Sequence, residues 1–134
     1  MSSPLIYVSF PHTAHDALTF YAQVFGGELN LHTFEDFGRT DGPPDAIAHG
    51  VLDGPVSLAG SDITEGDRAV SVEGIKLALL GTAGPQILHQ WFEKLADGGS
   101  VVDPLTRRPW GATDGQVVDR YGLCWLIGYE GNAE

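Results

Sequence analysis

"HDALTFYAQVFGGEL", residues 15–29, decides how this chain is read. Together with the preceding residue, its apolar side chains fall at Ala14, Ala17, Leu18, Tyr21, Val24 and Phe25, the spacing of one buried helix face. Thr13 stands at the N-cap position and Asp16 three residues on, a variant of the capping box. Gly26-Gly27 stops the helix, because glycine enters the left-handed C-terminal conformation at little cost. Upstream, "LIYVSF", 5–10, is a short run of strand formers that Pro11 ends.

The same order recurs. "GIKLALLG", 74–81, is a second apolar run, and Pro85 suits the first turn of a second helix. Ile87, Leu88, Trp91 and Leu95 form its apolar stripe, and Gly98-Gly99 stops it. The two Gly-Gly stops lie 72 residues apart, with Phe20 and Phe92 at the same distance before them. The rest of each half reads as strands. In the first half these are 28–37, "AIAHGVL" (46–52) and "VSLAGS" (56–61). In the second they are about 100–107, 115–119 and "LCWLIGY" (123–129). "VSLAG" and "CWLIG" match at an offset of 68, and the loop "GRTDGPPD", 38–45, can hold the extra residues of the first half. "SDITEGDRAV", 61–70, is the natural linker. Each half is therefore β-α-β-β-β. One helix cannot cover such a sheet stably, so the halves are expected to pack together.

Composition narrows the function. A chain of 134 residues, 43% hydrophobic, is one domain's worth and can bury a core. Eighteen acidic residues against seven basic give a formal charge of −11, which opposes binding to nucleic acid or anionic lipid. Cys124 is the single cysteine, so no intramolecular disulfide forms. The N-terminal run lacks the basic lead and the length of a signal peptide, and no segment reaches the roughly 18 apolar residues of a membrane helix. A cytoplasmic protein that binds neither nucleic acid nor membrane is expected.

Paired βαβββ modules are the plan of the vicinal oxygen chelate superfamily, which includes glyoxalase I, bleomycin resistance proteins and extradiol dioxygenases. Residues 15–29 resemble that superfamily's first helix, where a Phe-Tyr pair precedes a Phe-Gly-Gly stop. "IAHGVLDGPVSLAGSD", 47–62, and "WGATDGQVVDRYGLCWLI", 110–127, resemble its PhnB-like branch, often labelled after a demethylubiquinone methyltransferase. The resemblance implies an α+β fold: two βαβββ modules forming one glyoxalase-like domain with a cup-shaped mixed sheet. Module one runs from about 1 to 62, the linker from about 63 to 70, and module two from about 71 to 134. It also implies a homodimer, which open sheet edges favour.

In the metal-using members, His, Glu or Gln ligands sit on the inner faces of the first and last strands of each module. Here those strands are "LIYVSF", "VSLAG", "IKLALL" and "CWLIG", and none holds His, Asp, Glu or Gln. Cys124 alone is not a site, and Glu73 and Glu130 fall just outside their strands. No metal and no cofactor are therefore expected. His12 and His15, three apart, flank the helix start without an evident third ligand. His32 reads as surface and His89 as solvent-facing. His49 shares a strand face with Ile47 and Val51 in this reading, which makes it a polar handle among apolar neighbours.

The closing stretch reads as a hairpin. Asp114-Gly115 favours a tight turn, Asp119 is placed to accept from amides two residues on, and Gly122 lets the chain reverse. Trp110, beside Gly111 at a strand start, is the aromatic that suits a cavity mouth. The ligand set expected is Tyr7, His49 and Trp110, with Arg39 as the cation of a flap formed by 38–45. Such a set suits an aromatic or anionic small organic molecule. The first reading is a metal-independent small-molecule-binding protein. Its rivals are a metal-dependent lyase, isomerase or dioxygenase of the same fold, and a regulatory protein whose cavity is filled by side chains.

Overall fold

The structure is a computed structural model that describes residues 4–131. The chain divides into two compact units, 1–70 and 71–134. Unit one contains β1 (Tyr7–Phe10), α1 (Ala14–Phe25), β2 (Glu28–Thr33), β3 (Ile47–Asp53) and β4 (Leu58–Asp62). Unit two contains β5 (Leu77–Leu80), α2 (Pro85–Ala96), β6 (Ser100–Arg107), β7 (Thr113–Val118) and β8 (Cys124–Tyr129). Among the described residues the strands bond as two four-stranded mixed sheets, in the orders β1-β4-β3-β2 and β5-β8-β7-β6. Within each sheet the first and last strands of the unit are parallel neighbours, and the other pairs are antiparallel. The twofold β-α-β-β-β order read from sequence is thus the order of the fold.

Each helix covers one face of its own sheet. Ala14, Ala17, Leu18, Tyr21, Val24 and Phe25 are all buried, as the spacing demands, and so are Leu88, Trp91 and Leu95 on α2. The Gly-Gly stops have a shared steric cause. A methyl at Gly27, φ +111, would lie 2.6 Å from the carbonyl oxygen of Asp53, and one at Gly99 would strike the carbonyl of Val118. In both units the second glycine lets the start of one strand approach the end of the next.

Several local expectations need correction. The strand expected over 28–37 ends at Thr33, because Thr33 and Asp36 close a turn. The Thr33 amide donates to Asp36 Oδ2 at 2.8 Å and the Asp36 amide to Thr33 Oγ1 at 3.0 Å. Thr13 makes no side-chain cap bond, and Asp16 points to its neighbour His15 at 3.4 Å. The cap comes from Asp62, 8% exposed, at the end of β4. Its Oδ1 accepts from the Ala14 amide at 2.9 Å and its Oδ2 from the Ile47 amide at 2.8 Å. Asp114-Gly115 is not a turn but part of β7. The chain reverses instead at Arg108–Ala112, where the Arg108 amide donates to the Ala112 carbonyl at 2.7 Å and Gly111 takes φ +102. At Gly115 a methyl would lie 2.7 Å from the Leu105 backbone, so glycine there admits the irregular β6 strand.

The final hairpin follows the sequence reading. Asp119 Oδ1 accepts from the Tyr121 amide at 2.8 Å and the Leu123 amide at 3.2 Å. Its Oδ2 accepts from Trp125 Nε1 at 2.8 Å, and Gly122 takes φ +90. The internal repeat, however, is out of step by one residue at the last strands. Leu58 is buried opposite Leu52, on the helix side of the first sheet. Its counterpart by burial and pairing is Trp125, opposite Val117, so the true offset there is 67 rather than 68. A one-residue slip exchanges the faces of a strand.

Candidate functional site

The face of the first sheet turned away from α1 carries Tyr7 on β1, Ala59 and Ser61 on β4, His49 and Val51 on β3, and His32 on β2, as the strand register dictates. His49 shares this face with Val51 but not with Ile47. The register jumps from His32↔His49 to Thr33↔Ile47, leaving Ala48 as an extra residue. That bulge turns Ile47 to the helix side, where it is buried, and His49 to the open side.

Tyr7 and His49 meet across β4. The Tyr7 hydroxyl lies 3.0 Å from His49 Nδ1, with ring centroids 5.7 Å apart and planes 17° apart. With the phenol donating, Nδ1 accepts and the ring proton sits on Nε2, which leaves a donor for a ligand. Tyr7 is 49% exposed. Two of the four residues expected from sequence are therefore brought together.

Arg39 is placed differently. It clamps Asp41 through Nε at 2.9 Å and a second nitrogen at 2.6 Å, and its guanidinium lies 4.0 Å over the Phe34 ring. The pairing with Asp41 raises the Arg39 pKa and lowers that of Asp41. Its charge is matched within its own loop. The loop 38–45 is also fastened to the preceding turn: the Arg39 amide donates to Phe34 at 2.8 Å and the Glu35 amide to Pro44 at 3.0 Å. Trp110, 73% exposed, sits in the β6–β7 reversal of unit two, not at a strand start. Beside it Arg108 bridges Asp114 and Asp103, each at 2.8 Å. His89 is half-buried rather than solvent-facing, because its Nε2 lies 2.8 Å from the hydroxyl of buried Tyr129.

A groove of about 670 Å³ opens beside the start of α1, lined in part by His12, His15, Asp16, Thr33 and Asp45. The two histidines share it, but among the described residues no group of three or more His, Cys, Asp or Glu is arranged to hold a metal ion. At the strand positions where the resembling metalloproteins keep their ligands, the open faces carry Tyr7, Ser9, Ala59 and Ser61 in unit one. In unit two they carry Ala78, Leu80, Cys124 and Leu126. β4 does extend to a carboxylate, Asp62, but both its oxygens are taken by backbone amides. Methyls, hydroxyls and one thiol do not fit a divalent ion that wants imidazole and carboxylate donors.

Sequence reasoning missed Phe37. It lies parallel to His32, with centroids 5.5 Å and planes 19° apart, and is 52% exposed. No local signal marks it, because the strand was read through it and the turn that presents it depends on the Thr33–Asp36 pair.

No protein-family model matches the sequence. Protein YjdN of Escherichia coli K12 is 28% identical over 138 aligned residues, spanning 90% of each chain. Protein PA1353 of Pseudomonas aeruginosa is 28% identical, with a TM-score of 0.79 over 98% of this chain and 100% of that one. A PhnB protein from Bacillus cereus also gives 0.79, at 17% identity, over 96% of this chain and 99% of its own. A glyoxalase/bleomycin resistance protein/dioxygenase from Nocardioides gives 0.56 at 20% identity, over 100% and 88%. The chain thus has the fold of the glyoxalase/bleomycin resistance/dioxygenase superfamily, the vicinal oxygen chelate group that its sequence resembles. PhnB-like proteins are among its structural neighbours.

Proposed function

We propose that this protein is a metal-independent, small-molecule-binding member of the glyoxalase and bleomycin-resistance type, acting as a homodimer. The observation that carries the reading is the Tyr7–His49 pair. It is a hydrogen-bonded, nearly parallel pair of rings on a sheet face that its own helix leaves uncovered. Small-molecule sites combine such apolar area with a few placed polar groups. The residues at the family's ligand positions support the metal-free part of the reading, since none offers an imidazole or a free carboxylate. Arg39 is matched by Asp41, so the proposal favours an aromatic ligand over an anionic one. The dimer rests on the resemblance and on β1, β2, β5 and β6, which among the described residues stand at the ends of their sheets.

The test is a thermal-shift screen of small aromatic compounds, run with and without chelator. A hit should bind equally in both conditions. His49→Ala and Tyr7→Ala should each weaken it about tenfold, which corresponds to about 1.4 kcal/mol. A stoichiometric metal whose removal lowers the thermal midpoint would overturn the metal-free reading. Equal binding by both variants would move the site elsewhere. Sedimentation at micromolar concentration should show a dimer.

A further inference from the structure

The ring pair that carries the proposed function is half of a longer array. His32 is the direct register partner of His49 on the neighbouring strand. Directly opposed residues project from one face with Cβ atoms about 4.5–5.5 Å apart. Phe37, from the turn after β2, lies parallel to His32. Tyr7, His49, His32 and Phe37 therefore follow one another across the first sheet, from β1 to the turn after β2. The two end rings are each about half exposed, at 49% and 52%. Scattered surface aromatics are ordinary, but here two parallel pairs are brought together by the register of their inner members, His49 and His32.

The chemistry of the row narrows what it takes. The end rings offer aromatic faces, and the middle of the row offers imidazole nitrogens and a phenol hydroxyl at ring edges. The charges nearby are negative. Glu28 and Asp53 face each other on the same side of the sheet. Asp36 lies beside His32, and the Thr33 amide and hydroxyl hold its carboxyl below the usual range, so it stays ionised. The loop's Arg39 is paired with Asp41. An anion would meet carboxylates here, whereas a neutral or cationic ring would not be opposed.

We infer that Tyr7, His49, His32 and Phe37 form one stacking platform for a planar heteroaromatic ligand that is uncharged or cationic. This rests on the small-molecule-binding reading and extends it to two further residues and a ligand class. Phe37 and His32 are exposed, so Phe37→Ala and His32→Ala should leave the fold intact; Phe37→Leu keeps apolar bulk without the ring.

The test follows the imidazole ring resonances by NMR, assigned through single His→Gln variants. The probes are indole (planar, neutral), 4-aminoquinoline (planar, cationic), naphthalene-2-sulfonate (planar, anionic) and decahydroquinoline (saturated, cationic), each to millimolar concentration. Indole and 4-aminoquinoline should move the His32 and His49 signals together. Phe37→Ala and Phe37→Leu should both raise the 4-aminoquinoline Kd fivefold or more. Equal response to decahydroquinoline would overturn stacking, and equal affinity for the sulfonate would overturn the charge preference. Movement of His49 alone, with unchanged affinity in the Phe37 and His32 variants, would overturn the four-ring platform. So would an absence of response at both histidines. Either result would leave the function standing, provided the screened ligand still depends on His49; loss of that dependence would remove the function itself.

Discussion

Asp119 shows how much one side chain can hold. It is 3% exposed, and its two oxygens accept from two backbone amides and the indole of fully buried Trp125. Removing it strands buried donors, each costing about 1–3 kcal/mol. Asp119→Ala should therefore lose about 3 kcal/mol or more in urea unfolding. Asp119→Asn, with one acceptor oxygen left, should lose roughly half as much.

At the scale of elements, Asp62 joins three of them. It ends β4, caps α1 through Ala14 and holds the first amide of β3 through Ile47. Its partners lie 48 and 15 residues away, so it acts as a tertiary tie as well as a cap. Asp62→Ala should destabilise unit one by about 2–3 kcal/mol, above the ~1 kcal/mol of an ordinary cap. Asp16, exposed and bonded only weakly to His15, should cost under about 0.5 kcal/mol as Asp16→Ala. Chemical denaturation of the two variants separates the real cap from the sequence-local one. A methyl at Gly27 meets both a left-handed backbone and the Asp53 carbonyl, so Gly27→Ala should cost over about 2 kcal/mol.

For the molecule as a whole, charge sets the response to acid. Formal charge is −11, and Asp36, Asp41 and Asp67 all have pKa values below 3.8. The causes are hydrogen bonds from Thr33 for Asp36, from Arg39 for Asp41 and from Thr64 for Asp67. A carboxylate with a depressed folded pKa stabilises the fold above its unfolded value and loses that contribution as pH falls through the lower folded value. Acidification from pH 7 to about 5 relieves self-repulsion without touching these groups. The thermal midpoint should hold or rise over that range, then drop below about pH 4. A triple Asp36→Asn, Asp41→Asn, Asp67→Asn variant should show a shallower drop in calorimetry. An equally steep drop would place the acid-sensitive groups elsewhere.

By itself the sequence determined the pieces and their order: helices at 14–25 and near 85–97, Gly-Gly stops and the Asp119 hairpin. These are local signals, written in periodicity, glycine conformations and side chains that bond within a few residues. Tertiary structure decided what those pieces face. One extra residue at Ala48 turned His49 away from Ile47 and toward Tyr7, 42 residues distant. A one-residue difference in the repeat put Trp125, not Leu126, in the place of Leu58. The helix cap came from Asp62, and Phe37 reached His32 only because Thr33 and Asp36 closed a turn. A strand's two faces differ by a single residue, and which one is open is set by pairing with distant strands. That energy belongs to the assembled sheet, and no short stretch of sequence carries it.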